Sequence, residues 1–88
     1  MEKMGYVVYI LESQSNGRLY IGFTNNLDRR IGEHNAKQTK STRNKGPWNI
    51  LHAREGLTKP EAMSLEQKLK KWKNRKRVLS WIDKEKTI

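Results

Sequence analysis

A tyrosine, an arginine and a histidine at fixed spacing carry the first chemical signal of this chain: Tyr20 in Tyr20-Ile21-Gly22, then Arg30, then His34. A strand would carry the tyrosine, and a helix would carry Arg30 and His34 one turn apart, so all three can converge on one phosphate. The guanidinium offers a fork of donors matched to phosphate oxygens, and phenol and imidazole can move protons. A second strand-like tyrosine, Tyr9, lies upstream in Tyr6-Val7-Val8-Tyr9-Ile10-Leu11, and Glu66 lies downstream beside an apolar helical stripe. Together these residues read as nucleic-acid chemistry.

Each also has an ordinary structural use. An arginine at a core edge commonly snorkels, and strand tyrosines bury their rings with the hydroxyl at the rim. Glu66 could pair with Lys70 at i+4, or be directed into the site as a ligand for a hard metal ion. The functional reading gains because Arg30 and His34 stand together with Tyr20 in a strongly basic chain.

The elements that must position these side chains follow from pattern. Tyr6 to Leu11 and Leu19 to Phe23 are β-branched and aromatic and read as strands. Asn16-Gly17 between them is a hairpin signal. A two-residue loop there opposes Leu11 to Gly22 and Tyr9 to Thr24, which places Tyr9, Leu11, Tyr20 and Gly22 on one sheet face, with Gly22 leaving space beside the tyrosines. Thr24, Asn25 and Asn26 are N-cap candidates for a helix from about Leu27 to Ala36, whose Leu27, Arg30, Ile31 and His34 share a face. Lys37 to Pro47 is a loop with several cations, and Trp48 to Glu55 is a third strand. Thr58-Lys59-Pro60-Glu61 opens a helix with a capping box, and Ala62, Leu65, Leu69 and Trp72 form its buried stripe. Helix continues, after a bend, through Val78, Leu79, Trp81 and Ile82. The expected fold is α/β, a small three-stranded sheet with an antiparallel first pair, flanked by helices in a single domain spanning 1–88.

Composition narrows the partners. The 88 residues carry a net charge of +10, which calls for a polyanionic partner. Candidate nucleic-acid contacts are Lys40, Arg43 and Lys45 in the loop, and Lys70, Lys71, Lys73, Arg75, Lys76 and Arg77 near the C-terminal end. Without cysteine there is neither a disulfide framework nor a Cys-based zinc site. No apolar run of about 18 residues suggests a membrane span, and the expected location is the cytoplasm.

Tyr20-Ile21-Gly22, with Tyr9 upstream and Arg30, His34 and Glu66 downstream, resembles the GIY-YIG endonuclease superfamily, including its small stand-alone members. The Glu66 to Trp72 run, Glu-Gln-Lys-Leu-Lys-Lys-Trp, belongs to the match, which covers nearly the whole chain. The resemblance implies a GIY-YIG-like sandwich and a hydrolase that cuts phosphodiester bonds with magnesium or manganese. It also implies roles: Tyr9 as general base, His34 sharing its proton, and Tyr20 positioning water or phosphate. Arg30 would stabilise charge at phosphorus, Glu66 would hold the metal, and Gly22 matches the second motif's glycine. Two departures stand out. The first motif reads Val7-Val8-Tyr9 without the family's glycine. The buttressing asparagine of many relatives has no match in Val78 to Ile88, with Asn74 too early.

The expected function is therefore a DNA endonuclease, structure-selective or weakly sequence-specific, in repair or recombination. A non-catalytic DNA- or RNA-binding module on the same basic scaffold is the alternative. A basic interaction domain for an acidic protein is a third.

Overall fold

The computed structural model describes residues 5–36 and 47–86. Lys40, Arg43 and Lys45 lie outside the described residues. The apolar run at the start forms β1 (Tyr6–Ser13), followed by β2 (Leu19–Thr24), α1 (Leu27–Asn35), β3 (Trp48–Leu57), α2 (Lys59–Trp72) and α3 (Arg75–Lys86). The sheet order is β2-β1-β3, with β1 in the centre and antiparallel to both neighbours. This is the three-stranded α/β sandwich expected from the pattern.

The hairpin register differs from expectation by two residues. Tyr9 faces Gly22 and Leu11 faces Tyr20, rather than Thr24 and Gly22. The Ser13 amide bonds to the Arg18 carbonyl at 2.9 Å, and the Gly17 amide returns to Ser13 at 2.9 Å. The loop is thus 14–17, longer than the Asn16-Gly17 pair alone. Gly17 takes a positive φ of 74°, where a side chain would be strained. Because the shift is even, the side-chain parity survives, and Tyr9, Leu11, Tyr20 and Gly22 share one face as expected.

Each sheet face has its own cover. On one, Tyr9, Leu11 and Trp48 are buried with Tyr20 and with Leu27 and Ile31 of α1. On the other, Val8, Ile10 and Ile21 pack against Ala62, Leu69, Val78 and Ile82 of α2 and α3. The pairing of β3 with β1 slips twice, between Tyr6 and Val8 and between Ile10 and Leu11. Each slip inserts an extra β3 residue, and Gly56 at φ 73° lies in the first. The second slip sends Trp48 to the α1 face while His52 and Arg54, two and four residues beyond Ile50, turn to α3. There the Glu85 carboxylate accepts from His52 Nε2 at 3.3 Å and Arg54 Nη1 at 2.5 Å. Burial would raise the Glu85 pKa, but these two bonds outweigh it and hold it below the ordinary carboxylate value.

Helix ends follow the capping signals. Asn26 caps α1 through the Arg29 amide at 3.1 Å. Thr58 and Glu61 form the expected capping box on α2. The anticipated bend after α2 is a complete break, with Lys73 in the left-handed region at φ 47°. Asn74 then caps α3 by accepting from the Arg77 amide at 3.1 Å. Among the described residues, no helix is long and apolar enough to cross a membrane.

Candidate active site

The central strand presents Tyr9, 1% exposed, toward α1. Its ring lies over Gly22 of β2: a Cβ added there would stand 2.5 Å from Tyr9 Oη and 2.7 Å from Cζ. Glycine is therefore required by close approach, and the expected space beside the tyrosines is filled by the Tyr9 phenol itself. Tyr20 stacks near Tyr9, with centroids 6.3 Å apart, and meets the His34 ring edge-on at 4.7 Å. His34, buried at the last turn of α1, places Nε2 3.1 Å from Tyr9 Oη. One turn earlier, Arg30 Nε donates to the same oxygen at 3.4 Å. Four of the sequence-selected residues thus meet around one phenol.

Burial raises the Tyr9 pKa above its ordinary value, and Arg30, which lowers it, does not offset this. The cationic surroundings do not make Tyr9 a free phenolate. Burial also lowers the His34 pKa, with Arg30 pushing the same way, so His34 is neutral at neutral pH. Since Arg30 donates to the phenol oxygen, the phenolic hydrogen is available to His34 Nε2, with the imidazole in its Nδ1–H tautomer. Arg30 stays charged: its bonds to Tyr9 and Glu33 raise its pKa further.

Glu66 belongs to α2, on the other cover of the sheet, yet its charge reaches Tyr9 and contributes to the raised pKa there. Its side chain is 16% exposed, and a carboxylate oxygen lies 3.1 Å from Lys70 Nζ. Both readings of Glu66 therefore coexist: it makes the i,i+4 pair and stands within electrostatic reach of the phenol. Among the described residues, no group of three or more His, Cys, Asp or Glu could hold a metal without further donors.

The model of the GIY-YIG catalytic domain matches residues 5–78 of this chain. The chain belongs to the GIY-YIG family. A UPF0213 protein of Streptococcus sanguinis is 41% identical over 88 residues, covering 99% of this chain and 97% of that protein. One from Bacillus pumilus is 38% identical over 80 residues, covering 90% and 81%. The solution NMR structure of a UPF0213 protein from Bacillus halodurans is similar in fold, with a TM-score of 0.56 and 33% identity, covering 89% of this chain and 82% of that one. The fold is thus the nuclease-type sandwich of GIY-YIG proteins.

Its departures from the GIY-YIG pattern have local explanations. Val7 and Val8, where the first motif lacks its glycine, are buried in β1. Asn74 is accounted for as the α3 cap. Among the basic candidates, Arg75 reaches back to the Glu12 carboxylate and the Gly17 carbonyl, fastening α3 to the hairpin loop. Arg77 lies over the Trp72 ring at 4.6 Å. Lys71, Lys73 and Lys76 are exposed. Sequence reading missed two residues that position the site. Glu33 accepts from Arg30 Nη1 at 2.9 Å, a pair that i,i+3 spacing could have flagged. Asn35 binds the Trp48 backbone, its Oδ1 accepting from the amide at 2.8 Å and its Nδ2 donating to the carbonyl at 3.5 Å. No local signal announces that long-range contact.

Proposed function

We propose that this protein is a divalent-metal-dependent endonuclease that hydrolyses phosphodiester bonds in DNA, with Tyr9, Tyr20, Arg30, His34 and Glu66 as its working residues. The observation that carries the reading is the meeting of Arg30 and His34 on the Tyr9 oxygen beside Tyr20. Nucleic-acid affinity needs only cations, whereas a buried phenol held by a base and a guanidinium is suited to moving a proton.

In this reading Tyr9 takes a proton from the attacking water as its own proton passes to His34 Nε2. A concerted relay needs no free phenolate, which suits a phenol whose pKa is raised. Tyr20 positions water or phosphate, and Arg30, aimed by Glu33, neutralises charge building on the phosphate oxygens. Glu66 fits a hard divalent ion such as magnesium or manganese, because its part-buried carboxylate already gathers a cation in Lys70. A bound ion would polarise the phosphate oxygens. With one carboxylate, the remaining donors would be water and the substrate's phosphate, so the protein without DNA would hold the ion only weakly. Structure-selective cutting in repair or recombination is the biological setting this chemistry suits.

The test is cleavage of labelled single-stranded, forked, nicked and duplex DNA with magnesium and with EDTA. Arg30→Ala, Tyr9→Phe and Glu66→Gln should each lower cleavage about 100-fold or more, while most DNA binding remains. Glu66→Gln should cost at most about 0.5 kcal/mol of stability. Cleavage at the unmutated rate by Arg30→Ala or Tyr9→Phe would remove that residue from the chemistry, and the same result for Glu66→Gln would remove the metal-ligand role; binding with no cleavage of any substrate would leave a binding module.

A further inference from the structure

A groove of about 510 Å³ runs on the α2–α3 side of edge strand β2, between the hairpin-β2 segment 16–21 and the α2–α3 turn. Its apolar lining comes from Leu19, Ile21, Leu69 and Val78. Arg18, Lys70 and Lys73 add cations to the same walls. That combination fits neither a bare phosphate, which needs no apolar wall, nor an apolar peptide, which gains nothing from three cations. It fits a nucleotide, with its base on the apolar lining and its phosphates on the cations. Two further features favour a built site. Arg75 bridges the walls, from α3 to Glu12 and the Gly17 carbonyl, so the groove is held open in advance. Lys73 occupies the left-handed region at φ 47°, where glycine or asparagine would be less strained.

The groove also adjoins the proposed catalytic cluster at two points. Tyr20 belongs to its lining, and Lys70 spans from the groove to Glu66, 3.1 Å away. A paired base is already stacked in its duplex, so only an unpaired one can enter. Resting on the nuclease reading above, we propose that this groove is a subsite for one unpaired nucleotide of the strand being cut, beside the scissile phosphate.

The test is binding in EDTA, so that nothing is cleaved, read by fluorescence anisotropy. Three probes are compared: a fully paired duplex, the same duplex with a short unpaired tail, and the tailed probe with abasic sites in the tail. Each is made as DNA and as RNA, which separates the two sources of the same nucleotide chemistry. The tailed probe should bind about tenfold tighter than the paired one, and abasic sites should remove most of that gain. Lys73→Gly should abolish the preference and reduce the salt slope by about 0.7, without lowering the melting temperature, since glycine relieves the αL strain. Lys84→Ala, an equal loss of charge outside the groove, should keep the preference. Backbone NMR shifts on adding the tail should concentrate at Arg18 to Ile21 and Leu69 to Asn74. Equal binding of paired and tailed probes, indifference to abasic sites, or an unchanged preference in Lys73→Gly would overturn the assignment. Absence of binding to every probe would overturn the nuclease reading with it. Magnesium-dependent cutting of the duplex with no tail preference would overturn the groove alone.

Discussion

The two faces of the sheet are built to different rules. Toward α2 and α3 the buried side chains are aliphatic, and the contacts are those of an ordinary core. Toward α1 the buried group includes Tyr9 and His34, and the helix contributes Arg30 where a core would use leucine. A polar cluster of this kind costs desolvation, which hydrogen bonds must offset. Among the described residues, no buried side-chain nitrogen or oxygen lacks a partner. The fold can therefore keep its polar face because the opposite face supplies the hydrophobic stabilisation.

The comparison can be broken or sharpened by substitution. The largest effect is expected at Ile82 of α3, 4% exposed on the aliphatic face and outside the groove. Ile82→Ala should cost about 2–5 kcal/mol, measured by denaturant unfolding, with cleavage falling only as the folded fraction falls. Equal damage to the cleavage rate of the folded molecules would show that the faces are not separable. Gly22→Ala is next, because it strikes structure and chemistry together. Its methyl would overlap the buried Tyr9 phenol, costing about 1–3 kcal/mol and pushing Oη away from His34 and Arg30. Its cleavage should fall well beyond what lost folding explains. The smallest effect is in pH. The unfolded His34 titrates near 6.5 and the folded one below that. On acidification from about 6.5, the unfolded chain binds a proton that the native one does not, so stability falls. Unfolding midpoints measured from pH 7.5 to 5 should decline less in His34→Gln than in the natural chain. Identical slopes would remove the buried neutral imidazole from the account.

What the sequence revealed follows how local each signal is. Tyr9 and Tyr20 could be placed on one face because strand parity depends only on spacing, and it tolerated an error of two in register. The loop length itself was misread because Asn16-Gly17 suggested a tight turn, while Ser13 and Arg18 close a longer one. Arg30 and His34 were legible from one helical turn of spacing. Their convergence on Tyr9 was not, because it depends on how α1 lies across the sheet. The same limit hid Asn35 on Trp48 and Arg75 on Glu12, contacts made between distant parts of the chain. The raised pKa of Tyr9 was not legible for a different reason: residue types reveal the charge nearby, but burial decides which influence wins.

The two bulges of β3 have a consequence for how copies of this chain meet. β3 is a sheet edge, ten residues long, with Ile50 exposed on it. A flat edge of that length invites another strand to add to it, the first step toward aggregation. Two inserted residues bend and twist the strand, so its outward amides and carbonyls cannot align with a straight partner over its full length. Replacing the kinked edge with a regular one would turn Trp48 away from the α1 face and remove a safeguard on solubility.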